Sequence, residues 1–166
     1  MCSSRSGRAV IRPAQPQDAT ALHAIWTPVI RETTSIFHTT ERSPEEIAAL
    51  TTGPDAFLVW DDGTRVLGFA RCFTFRAGNG YTRTVEHTIL LAPEAQGRGI
   101  GRRLIDALAE AAQAQGKHTM IGAISAENTA GLAFHAACGF REHGRLPQVG
   151  YKFGRWLDLV LMGRRL

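Results

Sequence analysis

The sequence predicts an α+β, or mixed α/β, chain with a central, mostly antiparallel sheet of about seven strands flanked by about four helices. Three observations predict it. Residues 56–60 and 66–75 are rich in strand formers and are joined by Asp61, Asp62, Gly63 and Thr64, the chemistry of a hairpin. Ile100 to Gln115 repeats apolar side chains at Leu104, Ile105, Leu108, Ala111 and Ala112, the period of a half-buried helix. Strand-like and helix-like stretches follow one another along the chain, with no repeat or low-complexity segment between them.

The elements follow in order. Ala9 to Pro13 is a short apolar run that proline ends, and Asp18 stands as a helix cap before Leu22, Ile25, Trp26, Val29 and Ile30. Thr33 to Arg42 is a loop. Ser43, Pro44 and Glu46 supply a cap, a first-turn proline and a capping-box acid, so a second helix runs to about Leu50. After the hairpin strands comes a glycine-rich turn, Gly78 to Gly80. Thr82 to Leu91 then alternates Val85, His87, Ile89 and Leu91 against Glu86, Thr88 and Leu90, and Pro93 ends the strand. Gly116 caps the alanine-rich helix. A strand at Thr119 to Ile124 and a helix from Asn128 to Cys138 precede two strands, Phe140 to Val149 and Lys152 to Met162, around Gly150.

At 166 residues the chain is expected to form a single domain over 9–166 behind a flexible stretch at 1–8. Nineteen Lys and Arg against fifteen Asp and Glu leave a formal charge of +4. The basic residues are scattered, which argues for a phosphate-bearing small ligand rather than nucleic acid. Cys2, Cys72 and Cys138 are odd in number and widely spaced, so neither a disulfide framework nor a metal site is expected. No stretch supplies the ~18 apolar residues of a membrane span, and the expected location is cytoplasmic.

The clearest chemical signal is Gln96-Gly97-Arg98-Gly99-Ile100-Gly101-Arg102-Arg103. It lies between a strand and a helix, where unpaired N–H groups and the helix dipole favour an anion. Two familiar nucleotide motifs do not fit: GxGxxG needs a glycine at Arg102, and GxxxxGK[ST] has Ala111 before Gly116-Lys117-His118.

Gln96, Gly99 and Gly101 match the Q/R-x-x-G-x-G/A turn of the GCN5-related N-acetyltransferase (GNAT) superfamily, which the chain resembles. The resemblance extends through Glu127-Asn128 and Phe134 to Phe140. A narrower likeness, to phosphinothricin and methionine sulfone/sulfoximine acetyltransferases, rests on Thr84-Val85-Glu86-His87, His135, residues 33–37, residues 43–46 and residues 149–162. It implies the GNAT fold, acetyl-CoA as cosubstrate with no metal, and acetylation of the α-amine of a small amino-acid-like molecule. It also implies a homodimer bordered by the terminal hairpin, with no nucleic-acid or membrane partner.

Acetyl transfer to an amine requires a base, an oxyanion donor and a proton for the departing thiolate. Glu86 stands in an otherwise apolar strand, where burial raises a carboxyl pKa; it is the family's base or, failing that, an exposed or ion-paired carboxylate. His135 takes the place of the superfamily's thiolate-protonating tyrosine and would donate or relay a proton; a lone helical histidine is otherwise packing. His87 is set aside, because alternation points it away from Glu86. By likeness, Ile89, Leu90 and Leu91 supply backbone contacts to the cofactor and the oxyanion. Asn128 is either a helix cap alone or also a contact to the cofactor arm, and Gln96 to Arg102 would hold the phosphates. Arg76 would fork onto a substrate carboxylate, with Phe37, Tyr81 and Lys152 beside it. Thr82-Arg83 departs from the family's arginine-glycine at that place. The alternatives are acetylation of a protein N-terminus, a lysine or another amine, and a non-catalytic acyl-CoA sensor.

Overall fold

Alternation along the middle strands divides the sheet into two faces, each covered by its own helices. The structure, a computed structural model, describes residues 8–166, so the flexible stretch expected at 1–8 falls, but for Arg8, outside the described residues, as does Cys2. Strand β1 (Val10–Pro13) leads into helices α1 (Ala19–Glu32) and α2 (Pro44–Thr51) and then into β2 (Phe57–Asp61), β3 (Val66–Thr74) and β4 (Thr84–Leu91). Helix α3 (Ile100–Ala114), β5 (Thr119–Ser125), α4 (Thr129–Ala137), β6 (Arg141–Lys152) and β7 (Arg155–Arg165) complete the order.

On β3 and β4, Phe69 lies opposite Leu90, Arg71 opposite Thr88 and Phe73 opposite Glu86. The Phe69 ring sits 4.9 Å from Trp26 of α1, which assigns these residues to the face covered by α1. Their alternates, including Cys72, Val85, His87 and Leu91, face α3 and α4. Leu22 and Ile47 fill one layer, and Leu104, Ile105 and Leu108 the other, all fully buried. Each such side chain contributes about 1.5–3 kcal/mol of transfer free energy.

The strand order is β1-β2-β3-β4-β5-β7-β6. Every neighbouring pair is antiparallel except β4 and β5, which run parallel. That parallel ladder covers Thr84–Glu86 against Thr119–Ile121 and goes no further. Past it the strands part, and the opening positions the site.

The fold agrees with the sequence reading in class, strand number and helix number, and departs from it in three places. Asp18 does not cap α1 with its side chain. Its buried carboxylate is taken by Arg12, at 2.8 and 2.9 Å, and by the Gln15 amide at 2.8 Å. Gly150 is not a turn but lies inside β6, and the hairpin reverses at Phe153-Gly154. Glycine is required at 150 for packing instead: any Cβ there would overlap the ring of Phe37. Finally, β4 begins at Thr84 because Thr82 still belongs to the preceding turn, where the Lys117 ammonium donates to its carbonyl at 2.9 Å.

Candidate active site

The parting of β4 and β5 opens a cavity of about 470 Å³. Glu86 to Leu90 form one wall and Gly122 to Ser125 the other, while Ser35 to His38 come from the loop after α1. Asn128 and His135 of the α4 region reach the same space. The sequence-predicted residues Glu86, Ile89, Leu90, Asn128, His135 and Phe37 are thereby brought together.

Glu86 is half-buried, and burial pushes its carboxyl above the ordinary range, with no charged group among the described residues offsetting it. Such a carboxylate is a better base than one in water.

His135, on α4, is buried and held at both ring nitrogens. Its Nδ1 lies 2.7 Å from the Gly131 carbonyl and its Nε2 lies 3.0 Å from Nε2 of His87. His87 in turn sets its Nδ1 2.9 Å from the Ile121 carbonyl. Burial lowers both imidazoles, His87 to about 3, where the nearby His135 adds to the effect. Alternation does point His87 away from Glu86, but α4 brings His135 to meet it. Gly122 allows the approach, since a Cβ there would stand 3.0 Å from His87 and 3.3 Å from His135. A glycine inside a strand was the signal that could have found the pair.

Asn128 caps α4 by accepting from the Gly131 amide at 2.9 Å, which leaves its side-chain NH2 for a ligand. Beside it at the end of β5, Ser125 presents a buried hydroxyl without a hydrogen-bond partner among the described residues. A buried polar atom in that state on a cavity wall fits a polar ligand.

The turn at 96–101 follows β4 after one short helical turn, Pro93–Ala95. Gly97 and Gly99 take φ of 71° and 74°, left-handed values that turn the chain sharply into α3. No side chain caps α3, so its first-turn amides stay open to an anion. Gly101 serves packing instead: a Cβ there would meet the Phe134 ring at 3.1 Å. Arg98 is exposed and without an ion pair among the described residues, whereas Arg102 donates to the Ala137 carbonyl at 3.0 Å and lies 3.9 Å from Asp106.

The other acceptor-side predictions lie apart from the cavity wall. Arg76 is exposed and stacks on Phe75, with Tyr81 edge-on to the same ring at 6.2 Å. The Lys152 ammonium donates to the Ile36 carbonyl at 2.7 Å and so pins the roof loop. Glu127 ties that loop from below, accepting from Thr34 at 3.0 Å while paired with Arg155. Arg71, which the sequence alone did not single out, lies on the Glu86 face of β3 and packs its guanidinium over Phe57 and Phe73.

Comparison with known proteins bears on this geometry. The model of the acetyltransferase (GNAT) family matches residues 21–140. The chain is 37% identical over 159 residues to the L-methionine sulfoximine/L-methionine sulfone acetyltransferase of Pseudomonas paraeruginosa, covering 93% of this chain and 92% of that one. It is 35% identical to the phosphinothricin N-acetyltransferase of Alcaligenes faecalis, over 94% of this chain and 82% of that one. Among solved structures, yncA of Salmonella typhimurium with its cofactor acetyl-CoA superposes with a TM-score of 0.90 at 33% identity, covering 96% and 95% of the two chains.

Proposed function

The chain belongs to the acetyltransferase (GNAT) family and is an acetyl-CoA-dependent N-acetyltransferase, and from that premise we propose how its residues divide the work. One domain over 9–166 acetylates the α-amine of a small amino-acid-like acceptor of the methionine sulfone, methionine sulfoximine or phosphinothricin type. The observation that carries the reading is the parting of β4 from β5. It gathers in one cavity a carboxyl made basic by burial and a buried imidazole, and the strand that carries the carboxyl leads on to an open anion-binding turn.

Acetyl-CoA supplies the activated acyl carbon and the thiol leaving group. Gln96 to Arg102 hold its phosphates through the open α3 amides and Arg98. Ile89, Leu90 and Leu91 offer backbone groups to its arm and to the carbonyl oxygen that gains charge, and the Asn128 amide and Ser125 hydroxyl meet it from the other wall. Glu86 takes a proton from the acceptor ammonium, and His135 provides the proton that the thiolate needs. Phe37 roofs the acceptor, Lys152 holds that roof in place, and Arg76 with Tyr81 waits at the rim for the acceptor carboxylate. Val149, Tyr151, Phe153 and Trp156, more than half exposed on the terminal hairpin, form the face of a homodimer.

The test is thiol release from acetyl-CoA across amino acids, their sulfone, sulfoximine and phosphinate analogues, polyamines and short peptides with free N-termini. Saturable turnover confined to the amino-acid analogues is the expected result, and turnover of polyamines or peptide N-termini alone would reject this acceptor class. Among the described residues no helix is long and apolar enough to cross a membrane, and no group of three or more His, Cys, Asp or Glu is placed to hold a metal.

A further inference from the structure

Two imidazoles in this cavity make three contacts that each call for a hydrogen. His87 Nδ1 faces the Ile121 carbonyl and His135 Nδ1 faces the Gly131 carbonyl; a carbonyl only accepts, so each Nδ1 must carry its proton. The third contact joins the two Nε2 atoms at 3.0 Å. A neutral imidazole has one N–H, so a neutral pair holds two protons for three contacts. With both protons on Nδ1, two lone pairs confront each other across the Nε2 contact. The arrangement is short of one proton, and the place for it lies between the rings.

We propose that His87 is a positioning residue of the acetyl transfer, forming with His135 a single proton-sharing unit that relays the second proton of the acceptor nitrogen to the departing thiolate. The inference rests on the acetyl-transfer reading of the site and extends it. An ammonium that becomes an amide sheds two protons. Glu86 takes the first and passes it to solvent. The second leaves the acceptor nitrogen as an N–H bond breaks and enters the Nε2···Nε2 contact. As the C–S bond breaks, that Nε2–H bond breaks too, an S–H bond forms, and the pair returns to its neutral state. The product thiol can then donate to an Nε2 lone pair that lacked a partner.

The surroundings suit a proton held briefly. Phe134 and Phe140 pack at 5.1–5.2 Å from the rings and Gly122 of β5 lies against both, while the pair still borders the cavity. The titratable neighbour on β3 is the buried Cys72 thiol, opposite His87 in the ladder. Glu86 of β4 lies on the other face, and Cys138 at the end of α4 feels Arg102, Asp106 and Arg164. Apart from His135 acting on His87, no charged side chain among the described residues shifts either ring. Burial therefore keeps the pair neutral at rest, so a third proton is readily passed on.

The experiment is steady-state kinetics of the full chain on His87→Gln, His135→Ala and the double variant, with acetyl-CoA affinity from calorimetry and folding from circular dichroism. His87→Gln is expected to keep acetyl-CoA affinity within about two-fold while kcat falls about 10²-fold, the scale of a lost proton transfer. The double variant is expected to be no slower than His135→Ala, since the rings act as one unit. Wild-type kcat in His87→Gln, or losses that multiply in the double variant, overturn the proposal. If the wild-type chain turns over no acceptor, the acetyl-transfer reading is what fails, and ring-nitrogen NMR still decides on the shared proton. Both rings titrating in one step that His87→Gln displaces supports sharing; independent steps, or a His135 titration unmoved by His87→Gln, refute it.

Discussion

Gly150 of β6 lies directly beneath the ring of Phe37, so close that no other residue fits there without moving the ring. The Phe37 side of the cavity, proposed as the roof over the acceptor, is thus seated on the terminal hairpin. Gly150→Ala should displace Phe37 and the loop around it, lowering kcat/KM for the acceptor by about tenfold or more, the scale of a misplaced binding wall. Acetyl-CoA affinity should hold, because the turn at 96–101 lies elsewhere. Acceptor-dependent kinetics alongside calorimetry with acetyl-CoA checks both halves, and an unchanged acceptor KM and kcat would show the roof to be irrelevant.

Glu86→Gln removes the proposed base. We expect kcat to drop by about 10²-fold or more with acetyl-CoA binding retained. The acid limb of the wild-type kcat profile should lie above the ordinary value of 4.5, because burial raises this carboxyl. Stability follows with a definite sign. A folded-state pKa above the unfolded one favours the native state below the unfolded value, and that advantage is lost as pH rises through the folded value. The glutamine variant should therefore melt higher than wild type at neutral pH and show no such gain below pH 4.5. Equal melting temperatures at both pH values would mean that the carboxylate is fully solvated.

The site was legible in the sequence where it depends on local chemistry, and illegible where it depends on which strands meet. The turn at Gln96–Gly101 announces itself because its glycines and helix start are consecutive. Glu86 stands out as a charge in an apolar strand. The parting of β4 and β5 has no local signature, since it arises from a parallel pairing between strands some thirty residues apart. His87 was placed on its correct face yet set aside, because only the packing of α4 across the gap brings His135 to it. Gly150 reads equally as a turn or as a close approach, and the ring that decides between them comes from residue 37. Asp18 looks like a cap for the same reason: Arg12, six residues earlier on β1, competes for it with stronger charge-assisted bonds.

Arg12 joins Asp18 to Asp61 on β2, with its guanidinium 2.8 Å from one carboxylate and 2.9 Å from the other. The Arg12 hydrogen bonds hold the Asp18 carboxyl below its ordinary 3.8, against the opposing effect of burial. A depressed pKa contributes stability that is present above the unfolded value and lost as pH falls through the folded one. Asp18→Asn should cost about 2 kcal/mol at neutral pH, the range for charge-assisted hydrogen bonds, and should flatten the acid limb of the stability profile below pH 3.8. Urea unfolding at several pH values measures both. A variant as stable as wild type at pH 7 would show that Asp61 alone satisfies Arg12.

Trp156 is 60% exposed and packs edge-on against Tyr151 at 5.0 Å, in a hairpin where Val149 and Phe153 are also more than half exposed. Aromatic groups left in water together mark a surface that a partner covers. Sedimentation equilibrium should give the wild-type chain twice its monomer mass, and Trp156→Glu should give the monomer. The same hairpin carries Lys152, which grips the Ile36 carbonyl, and Gly150, which seats Phe37. Loss of the dimer should therefore loosen the acceptor roof, raising acceptor KM while leaving acetyl-CoA affinity in place. A monomeric variant with wild-type KM would separate assembly from acceptor binding, and a monomeric wild type would remove the dimer altogether.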